Sequence, residues 1–422
     1  MLSVRYSLLR FIACPHCQSE LATFTLSEAA SEIAPDRLAA SNRVPAAAGG
    51  LGPLPEWRPG SRLSDVLRRH APLESAPERN AQVELVEGLL ICGACGRWYP
   101  VWGSIPELIP DHLRSPERAL ADLDRLGSSL PADLRDALTE AAPGAAAAED
   151  PGARYKQAEM SLPGKVTDEG FWGPGHVSPF NPGASDHTWH LIRNFASVQP
   201  LLGLEPRDPV LDTGCGYAWT TEWLFKSGYE PIGIDICRDY LEIGIMRMGA
   251  LRPHLVVADV ETLPFRPASM RGVLAFESFH HLPGRERALA GFAMVLQDGR
   301  PAVLAEPGAD HESAPGSVEV MDRYGILERG MELADVRRYA AGLPFAEVEQ
   351  HFMLRVPSRR LGARLKGELV RDNSMLVNNV FSLRKDGGPP PPAPPGPWAR
   401  AKSRIPKRAR RMARSLLQRF RM

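Results

Sequence analysis

Apolar and polar positions follow two different patterns along the chain, and the change comes near residue 186. Before it, residues 83–110 (VELVEGLLICGACGRWYPVWGSIPELIP) have a strand-like pattern with turns at the glycines. After it, short apolar strands alternate with segments of helical periodicity, beginning with SDHTWHLIRNFASVQPLL and PVLDTG. Strands alternating with helices form right-handed βαβ units, so this half predicts an α/β fold with helices on both faces of a mostly parallel sheet.

Five strands are predicted in this half before its last hairpin: PVLDTG, EPIGIDI, HLVVADV, RGVLAFES and RPAVLAEP. FAEVEQHFML and SMLVNNVFSLRK are predicted to pair afterwards as a terminal antiparallel hairpin. The sequence therefore predicts a seven-stranded sheet.

These patterns divide the chain into four parts. We assign a small N-terminal domain to residues 1–110, with an insertion rich in Ala, Pro and Arg at 29–82. Residues 111–185 are predicted to be a helical linker and lid, and residues 186–385 form the α/β domain. Residues 386–422 combine a proline-rich linker (GGPPPPAPPGP) with a basic tail.

The net charge of zero conceals an uneven distribution of charge, because the C-terminal tail is strongly basic. Residues 398–422 contain ten Lys and Arg and no acid, so the rest of the chain carries about −10. On a helical projection, one arc of the tail is apolar: Ile405, Ala409, Met412, Leu416 and Phe420. Such a basic amphipathic helix predicts binding to an anionic membrane surface. RNA binding and a solvated tail without a partner are the alternatives.

The N-terminus (MLSVRYSLLRFIACP) has no uninterrupted apolar segment followed by a small-residue cleavage site. No run of about 18 apolar residues occurs elsewhere. We therefore expect a cytoplasmic protein, peripheral at the membrane if the tail binds lipid. The six cysteines should then be reduced, which favours metal binding over disulfides.

Four of the cysteines form two C-x-x-C pairs, CPHC at 14–17 and CGAC at 92–95. Two such pairs supply the four soft ligands of a tetrahedral zinc site. The 74 intervening residues exceed the usual spacing, but the pairs can meet because loop-closure entropy grows slowly with length. We predict a structural Zn²⁺ with four ligands: Cys14, Cys17, Cys92 and Cys95. Inert or redox-active thiols are the alternative.

Each of the first three strands of the α/β domain ends in an acid: Asp212, Asp235 and Asp259. The carboxyl ends of parallel strands form the ligand site of such sheets. The dinucleotide fingerprint after the first strand fails, because its third glycine position is Trp219. Three carboxylates would also repel a pyrophosphate. They suit a ligand with an amine, a ribose and a sulfonium.

VLDTGCG, GIDI, ADVETLPF and LQDGRPAVLAEP, in this order, resemble the class I S-adenosylmethionine-dependent methyltransferases, closest to the small-molecule type 11 branch. The resemblance covers roughly residues 186–310 and implies a Rossmann-like fold. It implies these cofactor contacts: Asp212, Gly214 and Gly216 around the methionine end, Asp235 on the ribose hydroxyls, and Asp259 and Val260 at the adenine.

The N-terminal part also resembles a known family. LLRFIACPHC and CGACGRWYPVWGSIPELIP are similar to the small zinc-ribbon family that activates or accompanies methyltransferases. That family is also found fused in front of them. The resemblance implies that the zinc site is a structural part of the N-terminal domain.

The fourth strand is followed by Glu277, His280 and His281 (ESFHHL), which would lie beside the methyl group. Methyl transfer from a sulfonium is a direct displacement, so positioning supplies much of the acceleration. A hydroxyl acceptor also needs a base, and we predict His280 or His281 for it. The alternative is that these histidines pack or line the cofactor. Four further residues are candidates for a substrate lid: Trp172, His176, His187 and His190.

Three functions follow as hypotheses. The leading one is methylation of an oxygen or nitrogen of a small-molecule, glycan or lipid-linked acceptor. The second is methylation of an RNA base, against which the negative charge of the body argues. The third is a scaffold without catalytic activity, which binds S-adenosylmethionine and recruits a partner through its ribbon.

Overall fold

The computed structural model describes residues 4–30, 62–70, 83–142, 150, 152–166, 179–180, 185–249, 251, 253–352 and 379–387. The strands in these ranges are β1 (Val4–Arg5), β2 (Leu21–Ala30), β3 (Val83–Cys92), β4 (Trp98–Trp102), β5 (Ile105–Leu108), β6 (Pro209–Thr213), β7 (Glu230–Asp235), β8 (His254–Ala258), β9 (Gly272–Phe276), β10 (Pro301–Glu306), β11 (Phe345–Phe352) and β12 (Asn379–Lys385). The α-helices are α1 (Arg62–His70), α2 (Pro116–Leu126), α3 (Ala132–Glu140), α4 (Ala153–Val166), α5 (Ser185–Val198), α6 (Trp219–Lys226), α7 (Arg238–Met248), α8 (Arg285–Val295), α9 (Pro315–Tyr324) and α10 (Leu333–Tyr339).

Strands β6 to β12 form the α/β half in the spatial order β8-β7-β6-β9-β10-β12-β11. The first five of these are parallel to one another, whereas β12 runs antiparallel to both β10 and β11. The parallel strands are buried along their whole length, as a sheet covered on both faces requires. The predicted α/β class and the terminal hairpin are confirmed.

The sheet continues beyond β8, so the predicted number of seven strands is too low. β5 lies parallel to β8, with Glu107 opposite Val257 and Leu108 opposite Ala258. From β5 the sheet runs antiparallel through β4 to β3, which pairs with both β1 and β2. The two halves therefore share one sheet, of twelve strands within the described ranges.

Alternating residues of the N-terminal strands face two different cores. In β3, Leu90 belongs to the large cluster that also contains Val256 of β8 and Phe265. Its neighbours Leu89 and Ile91 belong to a second cluster on the opposite face. A strand with both faces buried needs a second layer of structure, and helices α1, α2 and α3 supply it.

Helices α2 and α3 therefore pack on the N-terminal strands, although the sequence pattern assigns them to a linker. The Ser115 side chain accepts a hydrogen bond from the Arg118 backbone N–H at 3.2 Å, and Pro116 stands in the first turn, so the start of α2 is capped. The Trp98 indole of β4 donates to the Leu138 carbonyl of α3 at 2.9 Å. Residues 111–142 are thus attached to the N-terminal unit.

Several predicted segments lie outside the described residues. They are 31–61 and 71–82 of the insertion, most of the loop at 167–184, and the tail from residue 388.

No helix among the described residues is both long enough and apolar enough to cross a membrane.

Candidate active site

The turn after β6 forms the floor of the site. Gly214 and Gly216 have φ values of +62° and +52°, a conformation that side chains disfavour. A Cβ on Gly214 would lie 2.5 Å from the Cβ of Ser278, so this glycine is required by packing. A Cβ on Gly216 would meet no atom of the described residues within 4 Å. Among those residues, the surface over Gly216 is uncovered, which leaves room for a ligand.

Asp212, at the end of β6, fastens the following helix to the sheet. Its Oδ2 accepts hydrogen bonds from the hydroxyls of Thr220 (2.7 Å) and Thr221 (2.5 Å) in α6. Its Oδ1 is buried and has no hydrogen-bond partner in the described part of the chain. Burial raises the pKa of Asp212 to about 6, although the two hydroxyls oppose the shift. A ligand with an ammonium group would satisfy this oxygen.

Asp235, at the end of β7, lies beside the same turn. Its two oxygens accept from the backbone N–H groups of Gly216 and Cys237, both at 2.8 Å. Burial raises its pKa to about 6, and these backbone hydrogen bonds oppose the shift. Each oxygen keeps a lone pair for a hydroxyl of a ligand. Asp212, Gly214, Gly216 and Asp235 are thus brought together as the sequence predicts.

Asp259, after β8, already has partners in this structure. Its Oδ1 accepts from the Glu261 N–H at 3.0 Å, and its Oδ2 is 2.9 Å from the ammonium of Lys156. Lys156 is buried and also contacts Glu261 and Asp150, at 2.9 and 3.2 Å. The predicted adenine contact at Asp259 therefore coincides with a buried ion pair, and Val260 beside it is buried as well.

Helix α4, which supplies Lys156, lies in the segment 111–185 predicted to be a helical linker and lid, but the sequence analysis does not single out Lys156. Ala158 and Leu162 on this helix pack with Tyr217 and Tyr240 around the glycine turn. Glu159, the residue after Ala158, has its Oε1 3.8 Å from Nδ1 of His281. Burial, followed by the charges of Asp235 and Glu328, raises the pKa of Glu159 to about 8. The only sequence pattern that indicates these residues is in ARYKQAEMSL, where Lys156 and Glu159 stand beside a short apolar helical face.

The predicted lid residues are placed only in part. His190 in α5 is buried and accepts a hydrogen bond at 2.8 Å from the side-chain amide of Asn194. The side chain of His187 and the whole of Trp172 and His176 lie outside the described residues. His190 is therefore part of the packing of α5.

Glu277 and the turn that follows it bring both histidines to the carboxyl edge of the sheet. Glu277 has φ +52°, which is strained for a residue with a side chain, and its N–H donates to the Ala305 carbonyl at 2.9 Å. In the next turn, the N–H groups of Phe279 and His280 donate to Glu306 at 3.0 and 3.2 Å. The buried Glu306 at the end of β10 therefore holds the turn in place.

His280 is held between two carboxylates. Its Nδ1 lies 2.7 Å from Glu306 and its Nε2 lies 3.4 Å from Glu328. Burial lowers the pKa of His280, but the hydrogen bonds to Glu306 and Glu328 outweigh it and raise the pKa to about 10. Without a further ligand, this imidazole is protonated at neutral pH and cannot accept a proton.

His281 has the opposite character. Its Nδ1 donates to the Leu327 carbonyl at 2.8 Å, which leaves Nε2 as an acceptor. Burial and then the neighbouring His280, whose ring centroid is 3.9 Å away, lower the pKa of His281 to about 4. Of the two predicted bases, His281 alone is neutral at pH 7.

The four cysteines of the N-terminal pairs, which we call the cysteine cluster, meet although 74 residues separate the pairs. Their sulfurs lie within 4.8 Å of one another, and the distances are 3.6 Å for Cys14–Cys95 and 3.4 Å for Cys17–Cys92. None of them forms a disulfide. A tetrahedron with Zn–S bonds of about 2.3 Å has edges of about 3.8 Å, so the cluster fits Zn²⁺ with no open position.

The turns around the two pairs match. In each, the residue after the second cysteine has a left-handed φ: +60° at Gln18 and +76° at Gly96. In each, its N–H donates at 2.8 Å to the carbonyl of the first cysteine. The Tyr99 hydroxyl lies 3.3 Å from the Cys14 sulfur and adds an outer hydrogen bond.

Comparisons with known proteins agree with this geometry. Residues 211–303 match the family described as methyltransferase domain, and residues 5–102 match the family described as Trm112p-like protein. The chain thus matches a Trm112p-like family before residue 103 and a methyltransferase-domain family after residue 210. Strand β5 begins just after the Trm112p-like match ends at residue 102, and it pairs with β8, which lies within the methyltransferase-domain match.

Curated relatives match over part of the chain. O-methyltransferase cnsE of Penicillium expansum is 35% identical over 168 residues, which are 38% of this chain and 60% of the length of cnsE. Methyltransferase GfsG of Streptomyces halstedii is 28% identical over 196 residues, 44% of this chain and 68% of GfsG. The match to cnsE thus spans less than two thirds of that protein.

Among solved structures, the complex between the Haloferax volcanii Trm112 methyltransferase activator and a methyltransferase is similar at 19% identity. The match covers 49% of this chain and 93% of that chain, with a TM-score of 0.38.

Proposed function

We propose that the protein is an S-adenosylmethionine-dependent methyltransferase that methylates a hydroxyl oxygen of a small molecule. The methyltransferase-domain match and the order of strands β6 to β10 support the reaction class. The O-methyltransferase named among the relatives supports oxygen as the acceptor atom.

The glycine turn and its acids fit this cofactor. The buried, unpartnered Oδ1 of Asp212 suits the ammonium of the methionine end. The open surface over Gly216 admits the chain of the ligand, and Asp235 offers lone pairs to the ribose hydroxyls. When bound, S-adenosylmethionine supplies an activated methyl group on a sulfonium, so the protein has mainly to orient the acceptor and exclude water.

His281 is the residue best placed to receive the proton of the acceptor. The observation that carries this assignment is the hydrogen bond from Nδ1 to the Leu327 carbonyl, which fixes the tautomer and leaves a lone pair on Nε2. An oxygen becomes far more acidic as its bond to the methyl carbon forms, so even a weakly basic imidazole can take the proton. Glu277 has a positioning role, because its strained backbone turns the chain toward both histidines.

A small acceptor agrees better with the charge of the body than RNA does. Outside the tail from residue 398, acids outnumber Lys and Arg by about ten, which would repel a polyanion. Helix α4 also covers part of the carboxyl edge. An effect of the tail on a membrane or RNA stays a prediction, because the tail lies outside the described residues.

The test is transfer from isotope-labelled S-adenosylmethionine to a panel of small phenols, alcohols and amines. We expect methylation of hydroxyl compounds, with turnover roughly 10²–10⁴-fold lower in His281→Ala and with unchanged cofactor affinity. His351→Ala is the matched control, since this histidine of β11 bonds Ser382 away from the site. Methylation of amines alone, or full turnover in His281→Ala, would overturn the proposal.

A further inference from the structure

We propose that His280, His311 and Glu328 form a second metal site, which binds one divalent transition-metal ion of the zinc type. We call these three residues the histidine–carboxylate cluster. Each offers one ligand atom, and the three atoms lie within 4.8 Å of one another. Two imidazoles and one carboxylate are a ligand set that zinc and related ions use in open sites.

The distances suit an ion after a small movement. Nε2 of His280 lies 3.4 Å from Oε2 of Glu328, close to the edge of about 3.3 Å expected for bonds of 2.0–2.1 Å. Nε2 of His311 lies 2.6 Å from the same oxygen, which is a hydrogen bond. An ion would displace the proton of that bond and the Nε2 proton of His280, and it would move the His311 and Glu328 atoms apart by about 0.7 Å.

The ligands are oriented in advance. His280 uses Nδ1 for Glu306 at 2.7 Å, so Nε2 points toward Glu328. Glu306 is itself buried and fixed by two backbone N–H groups. A carboxylate behind a histidine is the usual outer support of a metal-binding imidazole. The rings of His280 and His311 stand at 89° to each other, 5.0 Å apart, so both can direct a nitrogen at one point.

The loop that carries Glu328 is packed closely against the segment that carries His311. A Cβ on Gly330 would lie 2.1 Å from the carbonyl oxygen of Ala309, so only glycine allows this approach. The short helical turn Ala309–Ser313 then presents His311 to Glu328. Three separate segments therefore meet at one point.

Three protein ligands leave at least one position for an oxygen from outside. The site lies at the carboxyl edge, beside the histidine assigned to proton removal. A bound ion would hold the acceptor hydroxyl and lower its pKa. This role rests on the proposed function, whereas metal binding itself does not.

The experiment is a titration of the full-length protein with Co²⁺ after removal of bound metal, followed by absorption spectroscopy. Cobalt in the cysteine cluster gives intense thiolate-to-metal charge-transfer bands, whereas nitrogen and oxygen ligands give only weak visible bands. We expect two ions per chain in the parent protein. Cys92→Ser should keep the weak bands, whereas His311→Ala and Glu328→Gln should lose them and keep the thiolate bands.

Glu306→Gln should weaken the second site without abolishing it, because Glu306 supports the ligand His280 and is not itself a ligand. We expect the affinity of this variant for the second ion to be about 10–100-fold lower than that of the parent protein. His351→Ala is the control and should still bind two ions. One ion per chain in the parent, or a second ion that survives in both His311→Ala and Glu328→Gln, would overturn the site. Cofactor affinity, measured separately on metal-free protein, reports on the proposed function alone.

Discussion

The cysteine cluster and the histidine–carboxylate cluster differ in the number and origin of their ligands. The first has four identical ligands on two matching turns, and its tetrahedron is closed. The second has two histidines and one carboxylate from three different segments, and an outer carboxylate supports one of the histidines. A closed set can only hold the fold together, whereas an open set can bind a further atom and take part in chemistry.

The largest effect is expected from breaking the closed cluster. Cys92→Ser removes one ligand, and structural zinc contributes about 10–16 kcal/mol to the folding of small domains. We expect loss of zinc and protease sensitivity of the Trm112p-like domain.

Elemental analysis and limited proteolysis measure these effects. Cys215→Ser is the matched control, because this buried cysteine lies outside the cysteine cluster and should leave the zinc content equal to that of the parent protein. Full zinc content in Cys92→Ser would show that the cluster is not the zinc site.

The second prediction concerns Lys156, a buried cation that forms ion pairs with acids and is not part of either metal cluster. Lys156→Met leaves the buried Asp259 without its cation, whereas Glu261 keeps Arg287, so we expect the free energy of unfolding to fall by about 3 kcal/mol. Lys226→Met is the control, because Lys226 is half exposed in its pair with Glu222 and should matter by about 0–1 kcal/mol. Urea unfolding measures both, and equal losses would contradict the prediction.

The third prediction concerns the cofactor. Asp235→Ala removes the expected ribose contact and should weaken S-adenosylmethionine binding at least about tenfold, or about 1.4 kcal/mol. Asp239→Ala, an exposed acid four residues on, should have no effect. Calorimetry gives both affinities, and an unchanged value for Asp235→Ala would disprove the contact.

The smallest effect is expected from pH. Burial raises the pKa of Asp235 to about 6, so the carboxylate is fully present above that pH and is lost as the pH falls through it. Protonation of Asp235 alone should therefore lower the affinity for S-adenosylmethionine about fourfold between pH 7.5 and pH 5.5. Burial raises the pKa of Asp212 to about 6 as well, so Asp235→Asn should reduce the pH dependence without abolishing it. A parent affinity that rises toward pH 5.5 would contradict this prediction.

The closed cluster could be predicted from the sequence, because each C-x-x-C pair encodes its own turn. The positions of Asp212 and Asp235 at strand ends could be predicted for a similar reason, because a strand and its end are local sequence patterns. The class of the sheet followed from the alternation of strands and helices. What could not be predicted was the continuation of the sheet through β5, because pairing across 150 residues leaves no local pattern.

The members of the open cluster were mostly missed. His280 was found because it follows a strand, but His311 and Glu328 lie in loops that only the fold brings together. The sequence gives one weak indication of Glu306, because it is a lone acid at the end of the apolar run PAVLA. The ion pairs of Lys156 could not be predicted from the sequence, because its partners Asp259 and Glu261 are about a hundred residues away.

The parallel pairing of β5 with β8 cannot form until both strands have been synthesised. Glu107 is made 150 residues before its partner Val257, which at about 5–20 residues per second is a delay of about 8–30 s. During that interval the newly made Trm112p-like domain has an unpaired strand edge, which can pair with any neighbouring chain. Nascent chains that stall between residues 110 and 254 should therefore be the species that aggregates and that chaperones must bind.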